Sequence, residues 1–257
     1  MLNKLEELIK SLPPLPESVS KINKALSDQD NGFKILTKEI KGDPMISSLI
    51  LGIINSPAFS LRTEIDTIER AIALLGLKEV AKIALRVIIE DRFEFNLKPY
   101  GLTEERFKSI NVENVILAKS ISNTKYKEFQ ERLSMVSYFL NLGKILISKL
   151  ILETNNCEEF KASIKEHGVI KSELEFIGIT SIEATIYILR YFNLQLLAED
   201  LSLSLNKNNE IGGLINIIVN SHEDQIGKLT DSSFQKIMII AMENNLDPEI
   251  LTLIKKD

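Results

Sequence analysis

Two histidines and one cysteine are all that this 257-residue sequence offers of the side chains on which most metal and thiol chemistry rests. Cys157 on its own cannot close an internal disulfide or build a thiolate metal cluster, so a reducing compartment fits and the cytoplasm is the expected location. A glycine-rich phosphate loop, a GxSxG elbow, an HExxH pair and a dinucleotide fingerprint are all missing. An excess of basic charge is missing too. With a net charge of −5 and a pI near 5.4, a dominant electrostatic grip on nucleic acid or on an anionic membrane is not expected. The opening "MLNKLEELIKSLPPLPE" alternates charge with leucine instead of forming an apolar core before a cleavage site, so no secretory signal is expected.

The few reactive side chains have ordinary explanations. His167 precedes Gly168 at a predicted helix C-terminus, where an imidazole suits the helix dipole and acts as a structural cap. His222 has Glu223 and Asp224 beside it, but adjacent helical positions diverge and do not converge on one ion. Cys157 falls near a predicted helix N-terminus, where Glu158 and Glu159 oppose a thiolate.

What the sequence has in quantity is apolar residues at helical spacing. Hydrophobic residues make up 44%, enough for one large core or two modest ones. In "TIERAIALLG", Ile68, Ala71, Ile72 and Leu75 recur at intervals of three and four, while strand-like alternation is not sustained anywhere. "GDPMISSLILGIINSP" carries both ends of one helix, with Asp43 as N-cap, Pro44 in the first position and Pro57 beyond the end, which predicts a helix over about 44–55. The same logic predicts helices near 3–11, 17–27, 32–41, 78–91, 104–123, 129–152, 157–167, 170–176, 180–191, 211–221, 231–244 and 247–255, an all-α chain.

Breaks are marked by proline, glycine and polar clusters. "LPPLP", Leu12 to Pro16, is either a polyproline ligand or a rigid connector, and the turn logic of proline favours the connector. A subdomain break is expected at "NLKPYGLTEE", and "NKNNEIGG", Asn206 to Gly213, is expected to be a loop. The apolar run from Leu133 to Leu152 has about the length of a membrane span, but Asn141, Lys144 and Lys149 make insertion costly and it is expected to be a core helix. On that helix Ser134, Ser137, Asn141, Lys144 and Ser148 form one narrow polar stripe, expected to face solvent or a crevice.

"LPPLPESVSKI", "DPMISSLILGIINSPAFS" and "IDTIERAIALLGLKEVAKIAL" together resemble the HDOD domain, a bacterial signalling module related to the HD-superfamily metal-dependent phosphohydrolases. The motif residues are Asp43 and Pro44, then Asn55, Ser56 and Pro57, then Ala71 to Gly76, and the likeness runs from about residue 10 to 205. The resemblance implies a multi-helical HDOD-like fold, with an amino-terminal helical subdomain over 1–98, a degenerate HD-like helical subdomain over 99–205, and carboxy-terminal helices over 206–257 packing on the HD-like part. The segment "YFLNLGK" matches the place of the His-Asp pair of metal-binding relatives, and here Asn141 and Leu142 stand there. Asn114 and Ser181 likewise occupy places where relatives carry ligands, and "LAEDLSLSL" lacks a His-His pair.

An amide offers a weak neutral oxygen and leucine offers nothing, so neither a metal nor a cofactor is expected. The expected function is regulation by binding other signalling proteins, without catalysis and without a membrane. Exposed parts of "KEIKGD" and "LKEVAK" are the candidate surfaces. The alternative is a nucleotide sensor or residual phosphohydrolase that uses a degenerate pocket of Asn114, Asn141, Ser181 and Glu183. A DNA-linked regulator is disfavoured by the acidic balance.

Overall fold

Asp43 adopts extended backbone geometry and its carboxylate accepts from the amides of Met45 (2.9 Å) and Ile46 (3.2 Å), so the helix behind it begins at Pro44 as the sequence predicts. This is one of many such helices in the computed structural model, which describes residues 17–28, 30–56, 59, 61–91, 96–192, 194–206, 208–221 and 231–254. Among the described residues there is no strand, and the fold is all-α. The expected helix at 3–11, the Leu12–Pro16 run, Pro57 and His222 lie outside the described residues. The chain divides into two compact units, whose described residues lie within Leu12–Glu94 and within Phe95–Asp257.

In the first unit, α1 (Glu17–Ser27), α2 (Gly32–Lys41), α3 (Pro44–Ile54), α4 (Ile68–Leu75) and α5 (Leu77–Glu90) pack together. Helix α5 is the axis, in contact with each of the other four. Its residues from Val80 to Glu90 are all buried, including Lys82, Arg86 and Glu90, with Arg86 Nε 2.9 Å from Glu90 Oε1. This corrects the expectation for "LKEVAK". Of that run Lys78 is exposed, whereas Val80, Ala81 and Lys82 are inside.

The second unit contains α6 (Glu104–Ser122), α7 (Gln130–Ser137), α8 (Leu142–Glu153), α9 (Cys157–His167), α10 (Val169–Phe176), α11 (Ser181–Tyr191), α12 (Gln195–Ser202), α13 (Glu210–Asn220), α14 (Asp231–Glu243) and α15 (Ile250–Ile254). Helix α8 packs along α11, α11 on α12, α6 on α7, and α13 on α14, α6 and α7. The expected continuous helix over 129–152 is two helices. A turn over Tyr138–Asn141 separates α7 from α8, held by short-range bonds such as Phe139 N–H to Val136 O (2.9 Å) and Leu142 N–H to Phe139 O (3.1 Å). The run is long and apolar enough to cross a membrane, yet most of it is buried inside the fold, which accords with a core element.

The loop expected over Asn206–Gly213 is also shorter than predicted. Asn209 caps α13 by accepting from Gly212 N–H (2.9 Å), and the two glycines are helical. They are small because neighbours come close: a Cβ on Gly212 would lie 2.2 Å from Leu203 O, and one on Gly213 would lie 2.6 Å from Asn244 Cβ. His167 ends α9 as expected, with Gly168 at φ +82° closing the turn.

Two glycines inside helices predict opposite responses to a methyl group. At Gly143 in α8 a Cβ would meet Ser181 O at 1.9 Å, so Gly143→Ala should destabilise the protein by about 3 kcal/mol. At Gly52 in α3 a Cβ would meet none of the described residues within 4 Å, so Gly52→Ala should stabilise it by about 0.5–1 kcal/mol. Urea unfolding of the two variants beside the parent protein measures both changes.

Candidate functional site

The polar stripe of "YFLNLGK" faces inward. Ser134, Ser137, Asn141 and Ser148 are all buried, which corrects the expectation of a seam toward solvent. Three of these four have partners: Ser137 Oγ donates to Leu133 O (2.6 Å), Ser148 Oγ donates to Asn96 O, and Asn141 Nδ2 donates to Asn111 Oδ1 (2.8 Å), while Ser134 Oγ has none among the described residues. Lys144, half-buried, places its ammonium 6.0 Å from the centre of the Tyr100 ring.

Beside this stripe α8 and α11 cross at Gly143. Thr185 Oγ1 accepts from Gly143 N–H (2.8 Å) and donates to Ser181 O (2.8 Å), which ties the start of α8 to the first turn of α11. Ser181 N–H donates to Glu173 Oε2 (2.7 Å), and Tyr100 Oη–H donates to Glu173 Oε1 (2.8 Å). Tyr100 stands edge-on to Phe160, and Phe160 edge-on to Phe176, so the carboxylate lies at the end of an aromatic cluster. Burial pushes the Glu173 carboxyl above its ordinary range, against the Ser181 amide, the Lys144 charge and the Tyr100 hydroxyl, which act to lower it. Burial, and then the charge of Glu173, pushes the Tyr100 hydroxyl well up.

Of the four residues predicted to line a degenerate pocket, Asn141 is paired to Asn111 and Ser181 has its amide committed to Glu173. Glu183 completes a capping box, with its Oε2 accepting from Thr180 N–H (2.7 Å) and Thr180 Oγ1–H (2.8 Å). Asn114 is buried, and its Oδ1 has no hydrogen-bond partner among the described residues. The sequence reading missed Asn111, Thr185, Tyr100 and Glu173, all of them buried polar residues set among apolar neighbours. For Thr185 a signal existed, since it follows Ser181 by one helical turn.

The donor set at the expected metal-binding place does not fit a divalent ion. Asn141 turns its amide nitrogen to another amide, Leu142 is buried without a donor atom, and the carboxylate nearby is taken up by a backbone amide and a phenol. No three His, Cys, Asp or Glu side chains among the described residues are arranged to hold a metal.

In the first unit the motif residues have mechanical roles. Asn55, just past the end of α3, clasps a later segment with both ends of its amide: Nδ2 donates to Ile65 O (2.8 Å) and Oδ1 accepts from Ile65 N–H (2.8 Å). Ser47 Oγ donates to Ile40 O (2.8 Å), holding α3 to the end of α2. Between α3 and the clasped segment lies an open groove of about 670 Å³, with Lys41 at one end.

The model of the HDOD domain matches residues 12–201 of this sequence. The chain belongs to the HDOD family. No curated protein matches it. Among solved structures, the HDOD chain is similar to an HDOD domain protein of unknown function from Geobacter sulfurreducens, at 14% identity, TM-score 0.67, covering 98% of this chain and 92% of that one. It is similar to a protein from Shewanella amazonensis SB2B, provisionally named a phosphohydrolase, at 14% identity, TM-score 0.70, covering 98% and 91%. A virulence factor from Campylobacter jejuni subsp. jejuni matches at 21% identity, TM-score 0.55, covering 100% and 97%. At these identities the likeness shows the shared helical fold.

Two predictions follow from the HDOD geometry. Asn55→Ala removes two hydrogen bonds to buried Ile65 and should cost about 2 kcal/mol, read as a lower urea midpoint. For Glu173, a folded-state pKa raised above the unfolded one means that its contribution is full below the ordinary carboxylate range and declines as pH rises through the folded-state value. Glu173→Gln should therefore flatten the decline in stability with rising pH, as measured by unfolding across a pH series.

Proposed function

We propose that this HDOD protein is a non-catalytic signalling protein that acts by binding another protein through its amino-terminal helical unit. Family membership supports a signalling or regulatory role. The observation that carries the finer reading is the neutral amide pair Asn111–Asn141 at the place where HD enzymes hold a metal ion. Two uncharged amides joined by one hydrogen bond give a hydrolytic metal no charged ligand to bind and give a water no base to activate it. With the chemistry gone, the surface is what remains to select. In the amino-terminal unit Lys38, Lys41, Gly42 and Asp43 are exposed, so the "KEIKGD" surface is open to a partner.

A second reading rests on one atom. Asn114 Oδ1 is buried and has no partner among the described residues, and a hydrogen-bond donor from a bound nucleotide would satisfy it. Titration calorimetry with common nucleotides, with and without manganese, separates the two readings. A flat response and no phosphate release are expected, while saturable binding that Asn114→Ala abolishes would favour the sensor. Cross-linking of the tagged full chain in its native cytoplasm should enrich a signalling protein over control, and enrichment of none would sink partner binding.

A further inference from the structure

The groove beside α3 has walls of different character. On α3, Ser48, Leu51 and Gly52 present small or apolar side chains, and across from them stand Glu64, Asp66 and Glu69. Gly52 is exposed in mid-helix, where glycine disfavours the helix relative to alanine. No described neighbour requires that smallness, because a Cβ there would meet none of the described residues within 4 Å. At Gly143, by contrast, the chain's own backbone fills that space, so Gly52 leaves room at the groove that Gly143 does not leave at its crossing. Met45 and Leu49 are exposed on the same helix, so apolar surface extends beyond the groove.

Charge sets the sign of the occupant. Lys41 Nζ neutralises Glu69 at 2.7 Å, and Arg70 Nη1 neutralises Asp66 at 2.8 Å. Glu64 is exposed and has no ion pair among the described residues, so one negative charge in the lining of the groove is left over. The length fits a helix: the α3 wall runs over Pro44–Asn55, about 16 Å at the rise of an α-helix, or three turns. A wall built on Ser48 and Gly52 lets a second helix backbone approach closely, in the helix-in-groove mode with anchors at i, i+3 or i+4 and i+7.

From these observations we infer that the groove between α3 and the Glu64–Glu69 segment is the docking site for an amphipathic helix of a partner protein, its apolar stripe against Leu51 and Gly52 and a Lys or Arg against Glu64. The inference deepens the partner-binding reading and rests on it.

The test uses a displayed random library of peptides long enough for four helical turns, selected on the full chain, with the tightest sequence synthesised and measured by fluorescence anisotropy. The expected sequences carry Lys or Arg beside apolar residues at helical spacing. Their affinity should fall at least tenfold in Gly52→Phe, which fills the groove, and in Glu64→Lys, which reverses its charge. Both variants should keep the parent's circular dichroism and melt no lower than the parent, since both positions are exposed. Tight peptides unaffected by either variant would overturn the groove while leaving partner binding standing. Peptides that depend on Gly52 but lack the cation or the helical spacing would overturn the assigned occupant. A library that yields no binder would overturn the inference, whereas the partner-binding reading is judged separately by the cross-linking.

Discussion

The crossing of α8 and α11 at Gly143 is the contact on which the second unit depends. A hydrogen at that position lets the Ser181 carbonyl sit where a methyl group would be, and this closeness brings Thr185 onto the Gly143 amide. The start of α11 is then fixed so that its Ser181 amide reaches Glu173, and Glu173 in turn holds Tyr100. Thus one missing side chain aligns residues from four separate places in the chain. The polar groups at the crossing have partners, as buried groups must.

How far this was legible in the sequence depended on whether the cause was local. The start of α3 could be read because Asp43 and the amides it caps are two and three residues apart. The break at Tyr138–Asn141 could not, since apolar spacing runs through it and the partner of Asn141 lies thirty residues away at Asn111. Gly212 and Gly213 pulled in two directions: composition put them in a loop, apolar spacing put them in a helix over 211–221, and in the fold they serve close packing inside that helix. Glu173 and Glu175 look alike in "KSELEF", yet one is wholly buried and the other exposed, a difference decided by Tyr100 and Ser181 from elsewhere. The family motif was legible as a pattern, but its mechanical meaning, such as the clasp of Asn55 on Ile65, needed the fold.

Uncharged residues at the place of the metal ligands have a physical logic. A histidine and aspartate set is stable in a buried place when an ion is bound, because the ion compensates the charge and organises the donors. Without the ion, the carboxylate would be a buried, uncompensated charge that costs several kcal/mol (roughly 3–5 when its partner is lost). Asn141 and Leu142 avoid that cost, since neither carries a charge, and the Asn141 amide donates to Asn111 Oδ1 without any ion. The carboxylate that does stay buried, Glu173, has a backbone amide and a phenol to meet it and a lysine charge nearby, which fits a structural role.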